Sequence, residues 1–155
     1  MDEISYTGAV ESFNGRNAAA LAQAFDRAEE RKVELLKRAD MLNGEQLAAE
    51  LGLSRATVDN RRQEGKLLAL EFGSKRGFRF PQWQTDLVEE RDIRASFEAV
   101  LNRLAPVGPW SRYRFFVQSS PELDGRTPVE ALRAGKGEAV LHAAESWAHG
   151  DQGGG

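Results

Sequence analysis

Apolar positions across residues 43–81 change period once, and the change divides the stretch into two kinds of element. Leu47, Ala48 and Leu51 recur at helical spacing and stop at Gly52, which can take the positive φ of a sharp interhelical turn. Ser54 has the chemistry of an N-cap, Thr57 and Val58 open a second helix, and Gly65 stands where a C′ residue closes one. Beyond Gly65 the period drops to two. Leu68, Leu70 and Phe72 alternate with smaller or charged residues, residues 73–77 (GSKRG) are turn chemistry, and Phe78 and Phe80 flank Arg79. The pattern predicts a winged helix-turn-helix over residues 41–84: helix, tight turn, helix, and a hairpin with a basic tip, with Trp83 packed under the wing.

The flanking segments read as helical. Residues 1–14 lack periodicity and are expected as a flexible arm. Over residues 15–40, Leu21, Phe25, Ala28, Leu35 and Leu36 recur at roughly helical spacing around a charged run, giving a helix that either packs on the central module or pairs with a copy of itself. Ile93, Phe97, Val100, Leu101 and Leu104 form one face of an amphipathic helix, which Pro106 and Pro109 end. Trp110, Tyr113, Phe116 and Val117 are expected as the core face of the next helix. Asp124 and Gly125 make a turn, and Thr127, Pro128 and Glu130 form a capping box around a proline start, with the short helix stopping at Gly135. A last helix, from about residue 138 to 149, puts Val140, Leu141, Ala144 and Trp147 on one side, and residues 151–155 are expected as a flexible tail. The fold class is therefore mainly α with a small β-hairpin: a winged helix-turn-helix followed by a helical domain over residues 85–150.

Composition narrows the chemistry. A chain of 155 residues, 41% hydrophobic and 29% charged, builds one soluble domain or two small ones that share a core. Cysteine is absent, so neither a disulfide nor a thiolate metal site is available, and His142 and His149 are the only histidines. No nucleophile elbow or nucleotide-cradling loop stands out, so no enzyme, catalytic residue, metal or cofactor is expected. No apolar run is long enough to span a bilayer and the first residues are acidic where a signal peptide is basic, so no membrane partner and a cytoplasmic location are expected.

The formal net charge of −3 hides an asymmetry. Residues 54–80 carry Arg55, Arg61, Arg62, Lys66, Lys75, Arg76 and Arg79 against Asp59, Glu64 and Glu71, whereas residues 121–155 are net acidic. The basic middle makes the second helix a candidate reader of the DNA major groove. Arg55 and Asn60 suit base edges, because Arg matches guanine and Asn matches adenine through two parallel hydrogen bonds. Ser54 at the helix start belongs to the same expected surface. Thr57, Arg61, Arg62 and Lys66 would position the helix on phosphates, Arg61 and Arg62 laying their aliphatic stems along the module. Arg79 lies on the wing, and Lys75 and Arg76 at its tip would reach a flanking phosphate or the minor groove. The expected partner is a double-stranded operator with an inverted repeat, bound by a homodimer.

Leu123, Gly125, Arg126, Thr127, Pro128 and Leu132 spell Leu-x-Gly-Arg-Thr-Pro-x-x-x-Leu, followed by a glycine break and a final helix ending near Gly150. This segment resembles the C-terminal toxin-binding domain of Xre/MbcA/ParS-type antitoxins, over roughly residues 97–150. The resemblance implies a RES-type protein toxin as partner, one that degrades NAD, with the last helix and tail occluding its cleft and the helix-turn-helix repressing the operon. It puts Arg126, Thr127, Pro128, Trp147, His149 and Gly150 on the partner-binding side. The central module is similar instead to MerR-like or excisionase-like DNA readers, where family members commonly carry an Xre-type helical bundle. A stand-alone dimeric regulator, whose C-terminal helices serve assembly only, is the alternative.

Overall fold

The computed structural model describes residues 2–71 and 77–154, with side chains described over residues 17–71 and 77–150. The fold is mainly helical with a small three-stranded antiparallel sheet, and the chain divides into two units, residues 1–38 and 39–155.

The first unit is one helix, α1 (Asp2–Leu36). It starts well before Gly15, so the segment expected as an arm is continuous with it. The cost of helix nucleation falls once, and alanines 18, 19, 20, 22 and 24 propagate a helix with little entropic penalty. The stripe that the sequence marks as apolar is open here: Leu21 is 70% exposed and Phe25 64%.

The second unit opens with β1 (Met41–Leu42), α2 (Gly44–Leu51) and α3 (Arg55–Gln63), followed by β2 (Leu70–Glu71) and β3 (Phe78–Pro81). The strand order is β1-β3-β2, with Met41 opposite Pro81, Leu42 opposite Phe80, Leu70 opposite Arg79 and Glu71 opposite Phe78. The expected hairpin therefore has a third strand, β1, on its other edge. Phe72 and the tip residues Lys75 and Arg76 lie outside the described residues. Asn43 caps α2 in a reciprocal box with Gln46, each bond 2.8 Å long. Gly52 then takes φ +67°, and Ser54 Oγ accepts the Thr57 amide at 3.1 Å to start α3. Gly65 at φ +76° ends it, with the amide of Lys66 donating to the Arg61 carbonyl at 2.9 Å.

Five helices follow: α4 (Thr85–Glu89), α5 (Arg91–Arg103), α6 (Pro109–Val117), α7 (Pro128–Arg133) and α8 (Gly137–Gly154). The α8 backbone helix runs into the segment expected as a tail. The α5 face is buried as its pattern predicts, through Phe97, Val100, Leu101 and Leu104. In α6 Phe116 is buried and Tyr113 packs on the core as expected, and the departure from expectation is at the two residues beside Phe116. Phe115 and Phe116 are buried while Val117 is 40% exposed, because Phe116 packs 5.4 Å from Phe97 and Phe115 5.7 Å from Trp147 between ring centroids. A Cβ on Gly137 would strike Ser96 on α5, so the start of α8 depends on a residue without a side chain there.

One hydrophobic cluster runs from Leu42, Leu47 and Val58 through Phe80, Leu87 and Phe97 to Leu132, Val140 and Ala148. Residues 41–84 and 85–150 share this core, in line with a chain that builds one domain or two small ones around a common core. Trp83 packs against α5 and α6, its ring 6.3 Å from Phe97 and 5.3 Å from Phe116. Arg133 on α7 grips Asp86 on α4 through two bonds of 2.8 and 3.2 Å and donates to the Trp83 carbonyl at 3.2 Å.

Candidate nucleic-acid interface

Val58 is completely buried and anchors α3 against the core. The opposite side of the helix exposes Ala56, Asn60 and Gln63, while Arg55, exposed at the first position of the helix, lies three residues before Val58 on the nearer flank. Asn60 lies four residues after Ala56 and three before Gln63, so these three share a face. The two expected base readers, Arg55 and Asn60, are both on the solvent side. Ala56 and Gln63 are the members that sequence reasoning passed over, although their spacing from Asn60 was the signal for them.

Arg55 is held in place by local contacts. Its Nε is 3.5 Å from Asp59 and its Nη1 3.9 Å from Glu45 on α2. The side chain lies over Gly44, where a Cβ would sit 2.5 Å from Nε. These are exposed ion pairs, each worth about 0.2–1 kcal/mol, so they restrain the side chain only weakly.

The remaining basic candidates divide. Arg62 turns toward the sheet: its guanidinium carbon stands 4.0 Å above the Phe78 ring, and its Nε is buried with no hydrogen-bond partner. Stem packing, as expected for this residue, ends on an aromatic face instead of in solvent. Arg61 is half-buried. Lys66 pairs with Glu64 at 3.0 Å, and Arg79 Nη1 donates to the Phe78 carbonyl at 3.1 Å. Ser54 and Thr57 are joined in the cap, their hydroxyl oxygens 2.9 Å apart.

A buried residue that sequence reasoning missed holds the hairpin. Gln84 is fully buried, and its side-chain amide accepts from the Leu68 amide at 2.9 Å and donates to the carbonyls of Leu68 and Pro81 at 2.9 and 3.1 Å. It fixes the start of the β2 arm against the end of β3.

Of the C-terminal candidates, Arg126, His149 and Gly150 are exposed. Thr127 and Pro128 do folding work. Thr127 Oγ1 accepts the Glu130 amide at 3.1 Å, and Pro128 is buried at the first position of α7. Trp147 points inward, its Nε1 donating to Ser111 Oγ at 3.0 Å.

Among the described residues no His, Asp or Glu cluster could hold a metal ion, and no helix is long and apolar enough to cross a membrane. No protein family, curated protein or solved structure matches this chain.

Proposed function

We propose that the chain is a sequence-specific DNA-binding regulator that reads its operator with a winged helix-turn-helix, as a homodimer on an inverted repeat. We further propose that it is the antitoxin of a toxin–antitoxin pair, repressing its own operon and neutralising a RES-like toxin. The observation that carries the DNA reading is the solvent face of α3, where Ala56, Asn60 and Gln63 stand opposite the anchor Val58, with Arg55 exposed at the start of the helix. The three-stranded sheet of order β1-β3-β2, which Arg62 of α3 meets at the Phe78 ring, supports it.

The test starts from an operator selected from random sequence. Arg55→Ala is expected to lose about 1–3 kcal/mol at one base position and to relax specificity there. Lys75→Ala is expected to weaken binding to every sequence and flatten its salt dependence. Equal, sequence-independent losses for both would remove Arg55 from the base readers.

The toxin partner rests on the Leu123–Leu132 resemblance and on the exposure of Arg126, His149 and Gly150. The second reading is a stand-alone dimeric regulator whose C-terminal helices serve assembly only, and the core they share with residues 41–84 supports a structural role for them. Co-expression separates the two. A neighbouring gene that is toxic alone and tolerated with this chain supports the antitoxin; the absence of any such gene supports the plain regulator.

A further inference from the structure

A cleft of about 470 Å³ opens where the C-terminal end of α3 and the hairpin meet α5 and α6. That volume lies within the usual range of small-molecule sites. We propose that this cleft binds a small organic monocarboxylate, with the acid group held between Arg62 and Arg112 and an apolar body laid on Leu67, Leu101 and Phe78.

The cleft offers both halves of such a ligand a matching surface. Leu67 and Leu101 are buried side chains whose edges face the cavity, and Phe78 adds a ring. Arg112 is fixed in advance, because Nε donates to the Leu104 carbonyl at 3.0 Å and Nη2 to the Ala105 carbonyl at 2.9 Å. Guanidinium presents five N–H groups, so donors remain on Arg112 after these two bonds. Burial pushes its pKa below the ordinary value by desolvation, which an incoming anion would offset. Arg62 lines the same cleft, its guanidinium held at the Phe78 ring, and supplies further N–H donors there. The charge balance selects the class. Arg62, Lys66 and Arg112 line the cleft with Glu64 and Glu98, which leaves one net positive charge for a monoanion and disfavours a doubly charged phosphate.

The inference goes beyond the DNA reading, and its test does not depend on it. The full-length ¹⁵N-labelled chain is titrated with benzoate, octanoate and indole-3-acetate, with benzamide and inorganic phosphate as comparators. Backbone amides of Leu67, Leu101 and Asn102 and the Nε–H of Arg112 are followed by NMR. At least one carboxylate is expected to saturate shifts confined to these groups, with benzamide about tenfold weaker than benzoate for want of charge-assisted bonds. Ala105→Trp, at an exposed rim position, is expected to abolish those shifts while leaving the rest of the spectrum folded. The proposal is overturned if no carboxylate shifts these groups, or if phosphate binds as tightly as the carboxylates. Undiminished binding in the Ala105→Trp chain also overturns it, because the ligand then lies elsewhere.

Discussion

Gln84 shows how much one buried amide can decide. Leu68 and Pro81 leave backbone groups that strand pairing does not reach, and this side chain meets three of them. Gln84→Leu keeps the volume but strands those groups away from water, so a loss of about 3 kcal/mol is expected in urea unfolding. The sequence around it, Gln82-Trp83-Gln84, reads as a polar loop, and nothing local distinguishes the buried glutamine from its exposed neighbour Gln82. The reverse holds for Arg55 and Asn60. Asn60 is exposed by helical phase once Val58 is taken as the inward residue, whereas Arg55, three residues before Val58, is exposed because it opens the helix. What the sequence could not reveal is the restraint on Arg55. Asp59→Asn removes the closer of its two ionic contacts at 3.5 Å and also a negative charge from the exposed face of α3. DNA affinity is expected to rise severalfold at low salt, an effect that fades as salt is added. Binding isotherms at two salt concentrations check this.

Caps were the most legible elements, because cap chemistry is local. Gly52, Ser54, Gly65, Thr127 and Pro128 all occupy the positions their residue types imply. Thr127→Ala is expected to cost about 1 kcal/mol, and Thr127→Asn to recover most of it, read from denaturant midpoints. Strand β1 was not legible, since two residues carry no period and its existence depends on β3 passing alongside. Helix α6 was legible in extent and in part of its face: Phe116 is buried and Tyr113 packs on the core as expected, whereas Phe115 takes the inward place expected of Val117. Its sequence PWSRYRFFV puts aromatic residues at several angles, so periodicity alone does not choose the inward face, and contacts with Phe97 and Trp147 do. Helix α1 is the element best suited to self-association, because its apolar stripe is solvent-facing at Leu21 and Phe25. If the homodimer forms there, Phe25→Glu shifts the chain toward monomer in sedimentation equilibrium while leaving its helix content unchanged.

For the whole molecule, the boundary that matters lies between residues 38 and 39, not at residue 84. The division at residue 84 marks two segments of one shared core, because domain boundaries depend on which surfaces meet. Trp83 meeting Phe97 and Phe116, and Arg133 meeting Asp86, tie the two halves together. A chain of residues 39–155 is therefore expected to keep its near-UV circular dichroism and one unfolding transition, whereas a chain ending at residue 84 loses both. The same joint core has a consequence for turnover. Proteolysis proceeds from opened states, and a unit that opens as a whole has no internal seam at which a protease can trim one end and spare the other. On the function proposed above, operator binding and any contact of the last helix would then decay together, with a single half-life.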